Sequence, residues 1–444
     1  MKAAPARIIA LLLAPLAVPP ASAGADIPTL TICGPDGSRK TLGAIGELPA
    51  ALAGVTGDGD IRVAVDGRHE LREAMHLSVR STQRLILEGG PDGAVLELGA
   101  LPMEGAAVCL EGGSFELRGL ALNHGPAWSL QVSGGVRYYL RGLRISDARG
   151  GGIVVWGPCG VDQDGPPGNR IEGCVIGRFN TAGAKWTHDA ISVRDNGALI
   201  AQNIIRDSPT ETMGIRVMGA GNRIECNLVE SVAAGDAGGI YLWAGEGIYA
   251  AVGNVVSSNI VAGASRGIYL DDGTCAARVE DNYLVDCREA AVFIGGGRDN
   301  RVDRNVALRC PILAHIDNRR VGWRDLPEKA KTFSVARTRL ADALRDSSVR
   351  ARLVEGGLDV RAFETLDESA FNEPAGNRVT RNIVMPPAQE IRWQNYARPD
   401  QPLGGAATDA KRPNRMGPVP AGDWRVPSGD MPDVRDLLRA LPSP

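Results

Sequence analysis

Asp271 and Asp317 are two carboxylates of this 444-residue chain that sit in matching settings. Each is fifth in an apolar hexapeptide, Gly267-Ile-Tyr-Leu-Asp-Asp272 and Leu313-Ala-His-Ile-Asp-Asn318. A hexapeptide between them, Ala291-Val-Phe-Ile-Gly-Gly296, has glycine at that place. If the three stack as neighbouring strands, the aspartates lie two strands apart, with Cα atoms roughly 9–10 Å from each other and open space over the glycine. Carboxyls about 6.5–9.5 Å apart with a water between them are the arrangement of inverting glycoside hydrolysis. One protonates the leaving oxygen and the other activates the water. Asp272 and His315 stand beside the pair and could set which carboxyl does which. Read otherwise, the same aspartates stabilise turns at strand ends or hold a structural Ca²⁺.

The hexapeptide recurs, starting at residues 107, 129, 152, 190, 214, 239, 267, 291 and 313. Its second and fourth residues are mostly aliphatic and its third and fifth vary, the period of a strand with one buried face. The third residues of the later copies, Ser192, Arg216, Tyr241, Tyr269, Phe293 and His315, therefore face outward together. So do the fifth, Arg194, Met218, Trp243, Asp271, Gly295 and Asp317. Aromatic faces stack on sugar rings, and arginine forks bind carboxylates and hydroxyls. Arg194, Arg216, Tyr241, Trp243 and Tyr269 are thus expected to bind substrate along a groove. Arg298, after the triple glycine at 295–297, and Arg319, after Asp317, would line its edge. His188 and Asp189 directly precede a hexapeptide, at the mouth of a long loop, where they could orient substrate or act as acid and base.

A second motif, Asn-Arg-Val-x-x-Asn-x-aliphatic, follows most hexapeptides. Alignment of its copies puts Asn203, Asn227, Asn259, Asn282, Asn305 and Asn382 in one column. Asparagine at such a turn tolerates a left-handed backbone and hydrogen-bonds its own kind above and below. Two motifs per roughly 24 residues, neither able to bury its own face, make one coil of a stacked solenoid. The expected fold is all-β, a parallel β-helix over residues 61–385. A helical insertion is expected near the C-terminal end, at about 325–375. A cap region precedes it at 24–60, and an irregular tail, 386–444, lies along it. Lys2, Arg7, the apolar stretch 8–18 and Ala21-Ser22-Ala23 read as a signal peptide, residues 1–23, and hence an exported chain.

The hexapeptides and the asparagine column resemble the pectate-lyase-like, right-handed parallel β-helix superfamily, over about residues 60–318 with a further coil near 377–385. That resemblance implies carbohydrate processing and a polysaccharide or oligosaccharide as partner. It spans hydrolases, lyases, epimerases, esterases and adhesins. A glycoside hydrolase using the aspartate pair is the first reading. A polysaccharide lyase or uronate epimerase is the alternative, with Arg216 or Arg298 neutralising a uronate and Tyr241, Tyr269, His315 or His188 moving the proton. A non-catalytic glycan-binding solenoid is the third. The Asn-Thr-Asp and Arg-Ile-Lys of polygalacturonases are absent, and Thr187-His188-Asp189 only partly echoes the Asp-Pro-His-Asp of epimerases.

A net charge of −3, well mixed, gives no footprint for nucleic acid. The N-terminal apolar run is too short and proline-broken to span a bilayer. Eight cysteines show no zinc spacing, so no metal ligand set is assigned. In an exported chain they suit disulfides: Cys287 and Cys310 are one coil apart, within bridging reach, and Cys159 and Cys174 could bracket the long loop.

Overall fold

The hexapeptides become strands because alternate aliphatic side chains can leave water only by facing the same way. In the computed structural model they form Ala106–Glu111, Trp128–Val132, Gly151–Val155, Ile191–Val193, Ile215–Val217, Gly238–Trp243, Arg266–Asp271, Ala290–Gly295 and Ile312–Asp317. The structure describes residues 29–133, 136–156, 168–209, 211–232, 235–245, 251–323, 338, 341, 344–345, 347–355, 358–366, 373–385, 389–394 and 415–416. The segment expected to be a signal peptide, Cys159 and most of the tail lie outside them.

The nine strands stack in one parallel sheet, the front sheet, with Met75–Ser78 at one end and Gln389–Gln394 at the other. The asparagine motif supplies two short strands per coil, such as Arg223–Glu225 and Leu228–Glu230, which stack into a second, longer sheet. Ile240, Ile268 and Val292 meet in register on the front sheet, as do Val256, Val279 and Val302 on the other. All six are fully buried, and each such side chain contributes about 1.5–3 kcal/mol against the entropy of ordering its coil.

The turn between the two short strands differs from expectation in one detail. The left-handed residue is not the asparagine but the one before it: Gln202, Cys226, Ser258, Asp281, Arg304 and Arg381 all have φ between 56° and 58°. That kink aims the next side chain inward. Asn227 Nδ2 then donates to Asn259 Oδ1 at 2.9 Å and to the Ile200 carbonyl at 2.9 Å, and the Asn227 backbone N–H donates to the same Asn259 oxygen. The pattern runs unbroken from Asn203 to Asn382. The motif's first asparagines build a second ladder at the other end of the strand, Asn222 to Asn254 and Asn300 to Asn377.

At the N-terminal end, Thr29–Cys33 pairs antiparallel with Arg39–Leu42 and Gly59–Glu70, and Leu48 and Leu52 of a short helix join the core. Towards the other end, the helices Ser347–Glu355 and Val360–Glu364 press Leu353, Val360 and Phe363 against Val252, Cys275 and Ala276 at a corner of the solenoid. Cys287 and Cys310 are buried free thiols, as is Cys174. No helix among the described residues is long and apolar enough to cross a membrane.

Candidate functional site

The front sheet holds the outward residues in strict register. Ser192 pairs with Arg216, Arg216 with Tyr241, Tyr241 with Tyr269, Tyr269 with Phe293, Phe293 with His315, and His315 with Arg392. Two positions on, Trp243 pairs with Asp271 and Gly295 with Asp317. The alignment of the expected groove is therefore present.

Its chemistry is differently arranged. The aromatic ladder is not an open platform for sugar rings: Tyr269 is 1 % exposed, and Tyr241, Phe293 and His315 are buried. The rings take up one another's faces, at 5.1 Å for Tyr241–Tyr269, 5.0 Å for Tyr269–Phe293 and 4.2 Å for Phe293–His315. Arg266 covers Tyr269 and Phe293, 4.4 Å from each ring centre, and pairs with Glu289 at 2.8 Å. Sequence reasoning passed over Arg266 because it opens its strand, outside the two outward columns.

The space over Gly295 is not open either. The Arg319 side chain turns back from just after the strand and lies across it. A methyl group on residue 295 would sit 3.0 Å from the guanidinium carbon and 2.8 Å from Asp271 Oδ1, so glycine is what admits the arginine. Arg319 Nη1 donates to Asp271 Oδ1 at 2.7 Å and to the Tyr269 hydroxyl at 2.9 Å, and its Nε and Nη2 donate to Asp317 Oδ2 at 2.9 and 2.7 Å. Asp271 also accepts from the Tyr241 hydroxyl at 2.6 Å and from the Asp272 backbone N–H at 2.8 Å. Asp272, itself in a left-handed backbone, accepts from the Trp243 indole at 2.6 Å. Arg319 is thus the hub of the cluster rather than an edge residue, and Trp243 holds Asp272. Among the described residues no three carboxylate, imidazole or thiol groups gather as a metal site, and a guanidinium lies between the acids where a cation would.

The two carboxyls have unequal settings. Asp317 is 0 % exposed, and burial raises its pKa above the ordinary value, with Arg319 opposing and Asp271 adding to the rise. Asp271 is 6 % exposed, with three donors on its oxygens. Burial, then the charge of Asp271, pushes the Tyr241 and Tyr269 hydroxyls far up, so both stay protonated at neutral pH. Burial, with Arg392 adding, holds His315 down at about 4, against the pull of Glu289 3.9 Å away.

The remaining expected residues are structurally committed. Asp189 is buried and faces Arg216, with ion-pair contacts of 3.0 and 3.1 Å, while Thr212 and the Met213 N–H donate to it. Burial raises its pKa. It serves as the counter-ion of Arg216. His188, its pKa lowered by burial, packs edge-on against Trp128 at 5.8 Å. Arg194 lies 4.1 Å over the Trp156 ring, and Arg298 pairs with Asp299 at 2.7 Å. Trp186, by contrast, is 49 % exposed with φ 57°, and its carbonyl accepts from Arg216 at 2.7 Å. Nothing in its sequence setting marks it.

The family described as the right-handed beta helix region matches residues 128–307. The chain is a right-handed parallel β-helix. Solved β-helices align with most of it at low identity. Endopolygalacturonase I from Stereum purpureum, complexed with two galacturonates, is 9 % identical, over 84 % of this chain and 98 % of its own, with a TM-score of 0.43. The periplasmic alginate epimerase AlgG is 12 % identical, over 89 % and 94 %, with a TM-score of 0.41. No curated protein sequence matches the β-helix.

Proposed function

We propose that this β-helix is an exported glycoside hydrolase acting on a polysaccharide or oligosaccharide. The observation that carries this reading is the pair Asp271 and Asp317, two buried carboxyls on either side of one guanidinium. Two carboxyls flanking the scissile bond supply the acid and the base or nucleophile of glycoside hydrolysis. Asp317, whose pKa burial raises, takes up a proton once Arg319 leaves it and donates that proton to the leaving oxygen. Asp271, held by Tyr241 and Arg319, acts on the anomeric side as base or nucleophile. Two hydrogen bonds to one guanidinium keep their near oxygens on the order of 5–7 Å apart. That range meets both hydrolase geometries, and the anomeric configuration of the first product distinguishes them. Arg319 covers the approach to Asp317, so turnover requires its guanidinium to swing onto substrate hydroxyls. Trp186 stands three coils away, roughly 14–15 Å along the stack, and extends the binding surface over several sugars.

The settings count against proton abstraction from a uronate. Arg216 and Arg319 already carry carboxylate partners, Tyr241 and Tyr269 hold their protons tightly, and His315 is buried. The test is a polysaccharide panel with product analysis on the parent, Asp271→Asn and Asp317→Asn. New reducing ends without ultraviolet-absorbing unsaturated products are expected, and each substitution should slow turnover by about 10²–10⁴-fold. Unsaturated products, or full activity in both variants, would overturn the proposal.

A further inference from the structure

Successive coils of the longer sheet carry Arg170, Leu199, Arg223, Val255, Arg278, Arg301 and Arg378 at one outward position. As far as Arg278, arginine alternates with an aliphatic residue, so like charges stand two strands apart, roughly 9–10 Å. From Arg278 to Arg378 three arginines are direct neighbours, and like charges side by side on paired strands destabilise a sheet.

Nearby acids are already shared. Arg278 lies 2.8 Å from Glu280, which also takes Arg304 at 2.6 Å. Arg301 reaches Asp303 at 3.1 Å, but Asp303 also takes Arg304 and Arg381. Arg378 is exposed and has no ion pair among the described residues. The three arginines form one wall of a cleft of about 110 Å³, closed by Asn300, Gly376 and the insertion's Leu353 and Leu358. Its one acidic wall residue, Asp299, already holds Arg298. The insertion is fitted closely here: a methyl group on Gly253 would lie 2.4 Å from Leu353 Cδ2. The cleft therefore combines an excess of guanidinium donors with an apolar roof that weakens solvent screening.

We infer that this cleft binds a compact oxyanion of the phosphate or sulfate class, held by Arg278, Arg301 and Arg378. Guanidinium forks match such oxygens, and an anion here relieves the repulsion between neighbours. The site lies on the other sheet from Asp271 and does not depend on the hydrolase reading. The oxyanion is either a free ion or the substituent of an acidic glycan.

The test is thermal unfolding of the full chain, titrated with sodium phosphate or sulfate against chloride at matched ionic strength. The expected result is a saturable rise in midpoint on the order of a few degrees, absent with chloride. Arg378→Gln and Arg301→Gln should weaken the response at least tenfold, and Arg223→Gln, in the same column, should leave it unchanged. Without anion, Arg378→Gln should unfold at or above the parent midpoint, because it removes an exposed like charge. That variant carries the test even if Arg301→Gln fails to fold. Calorimetry with a sulfated oligosaccharide and its desulfated form assigns the source. Binding of the sulfated form, competed by phosphate, identifies a glycan substituent, and binding of the inorganic ion alone identifies a free ion. A midpoint that follows ionic strength whatever the anion, or an undiminished response in Arg378→Gln, would overturn the inference.

Discussion

Replacing Arg319 by methionine keeps the side chain's length and much of its volume but removes the charge that both aspartates share. Asp271 retains the Tyr241 hydroxyl and the Asp272 N–H. Asp317, fully buried, retains among the described residues only the backbone N–H of residue 319, at 3.1 Å. A buried carboxylate stripped of its partner costs about 3–5 kcal/mol. It can escape part of that cost by taking up a proton. Protonating an aspartate of ordinary pKa, near 3.9, costs about 1.36 kcal/mol for each pH unit above that value, or about 4 kcal/mol at pH 7 and about 1.5 kcal/mol at pH 5. Those figures cap the penalty. The sign follows from the direction of the shift. Burial already raises Asp317, and the substitution removes the main influence opposing it. From the ordinary aspartate value up to the raised one, the folded variant holds a proton that the unfolded chain lacks, so its stability falls as pH rises through that window. Urea unfolding of parent and variant at pH 5, 6 and 7 measures this. The penalty is expected to shrink by about 2–3 kcal/mol between pH 7 and pH 5. A penalty equal at both ends, or below about 1 kcal/mol throughout, would refute the view that Asp317 is a buried charge dependent on Arg319.

Asn259→Ala removes the acceptor of the Asn227 N–H and of one Asn227 Nδ2 hydrogen, and the donor to the Ile224 carbonyl, so three buried hydrogen bonds are lost. At about 1–3 kcal/mol each, the loss should reach roughly 3–6 kcal/mol in chemical unfolding. Gly295→Ala adds one methyl group against Asp271 and Arg319 and should cost about 1–3 kcal/mol. The same substitution should lower turnover on whatever glycan the parent cleaves. His315 has its pKa held at about 4 in the fold. The unfolded chain therefore binds a proton that the native one does not as pH falls from about 6.5 to 4, costing roughly 2–3 kcal/mol over that window. His315→Phe should flatten that part of the stability–pH curve.

The coil repeat was legible because its signals are periodic and local. The alternation in Gly267-Ile-Tyr-Leu-Asp-Asp272 tells inside from outside, and the asparagine column marks where coils turn. The third-position column, and the fifth at Trp243–Asp271 and Gly295–Asp317, stand in the expected register. Period two says which way a side chain leaves the strand, however, and not what then lies over it. Tyr269 and Phe293 face outward as expected and are nonetheless buried by Arg266, Arg319 and each other. Arg319 could not be placed from its neighbours, because a long arginine side chain reaches over several residues and its resting place depends on a missing side chain at Gly295. Asp189 follows a histidine in sequence, yet its partner, Arg216, is one coil on. Trp186 gave no pattern at all, since a single residue in a left-handed backbone breaks no period.

The asparagine ladder has a direction. Each amide donates to the asparagine of the following coil and accepts from that of the preceding one, from Asn203 through to Asn382. Side-chain dipoles aligned in this way polarise one another, so the column is an oriented rod through the protein. An exposed stack end would then be unlike its opposite: one offers only acceptors, the other only donors. Two such columns could join head to tail but never like end to like end, so the ladder rejects half of all end-on encounters between partly folded chains. It also favours coils docking in chain order, each new turn meeting donors already in place.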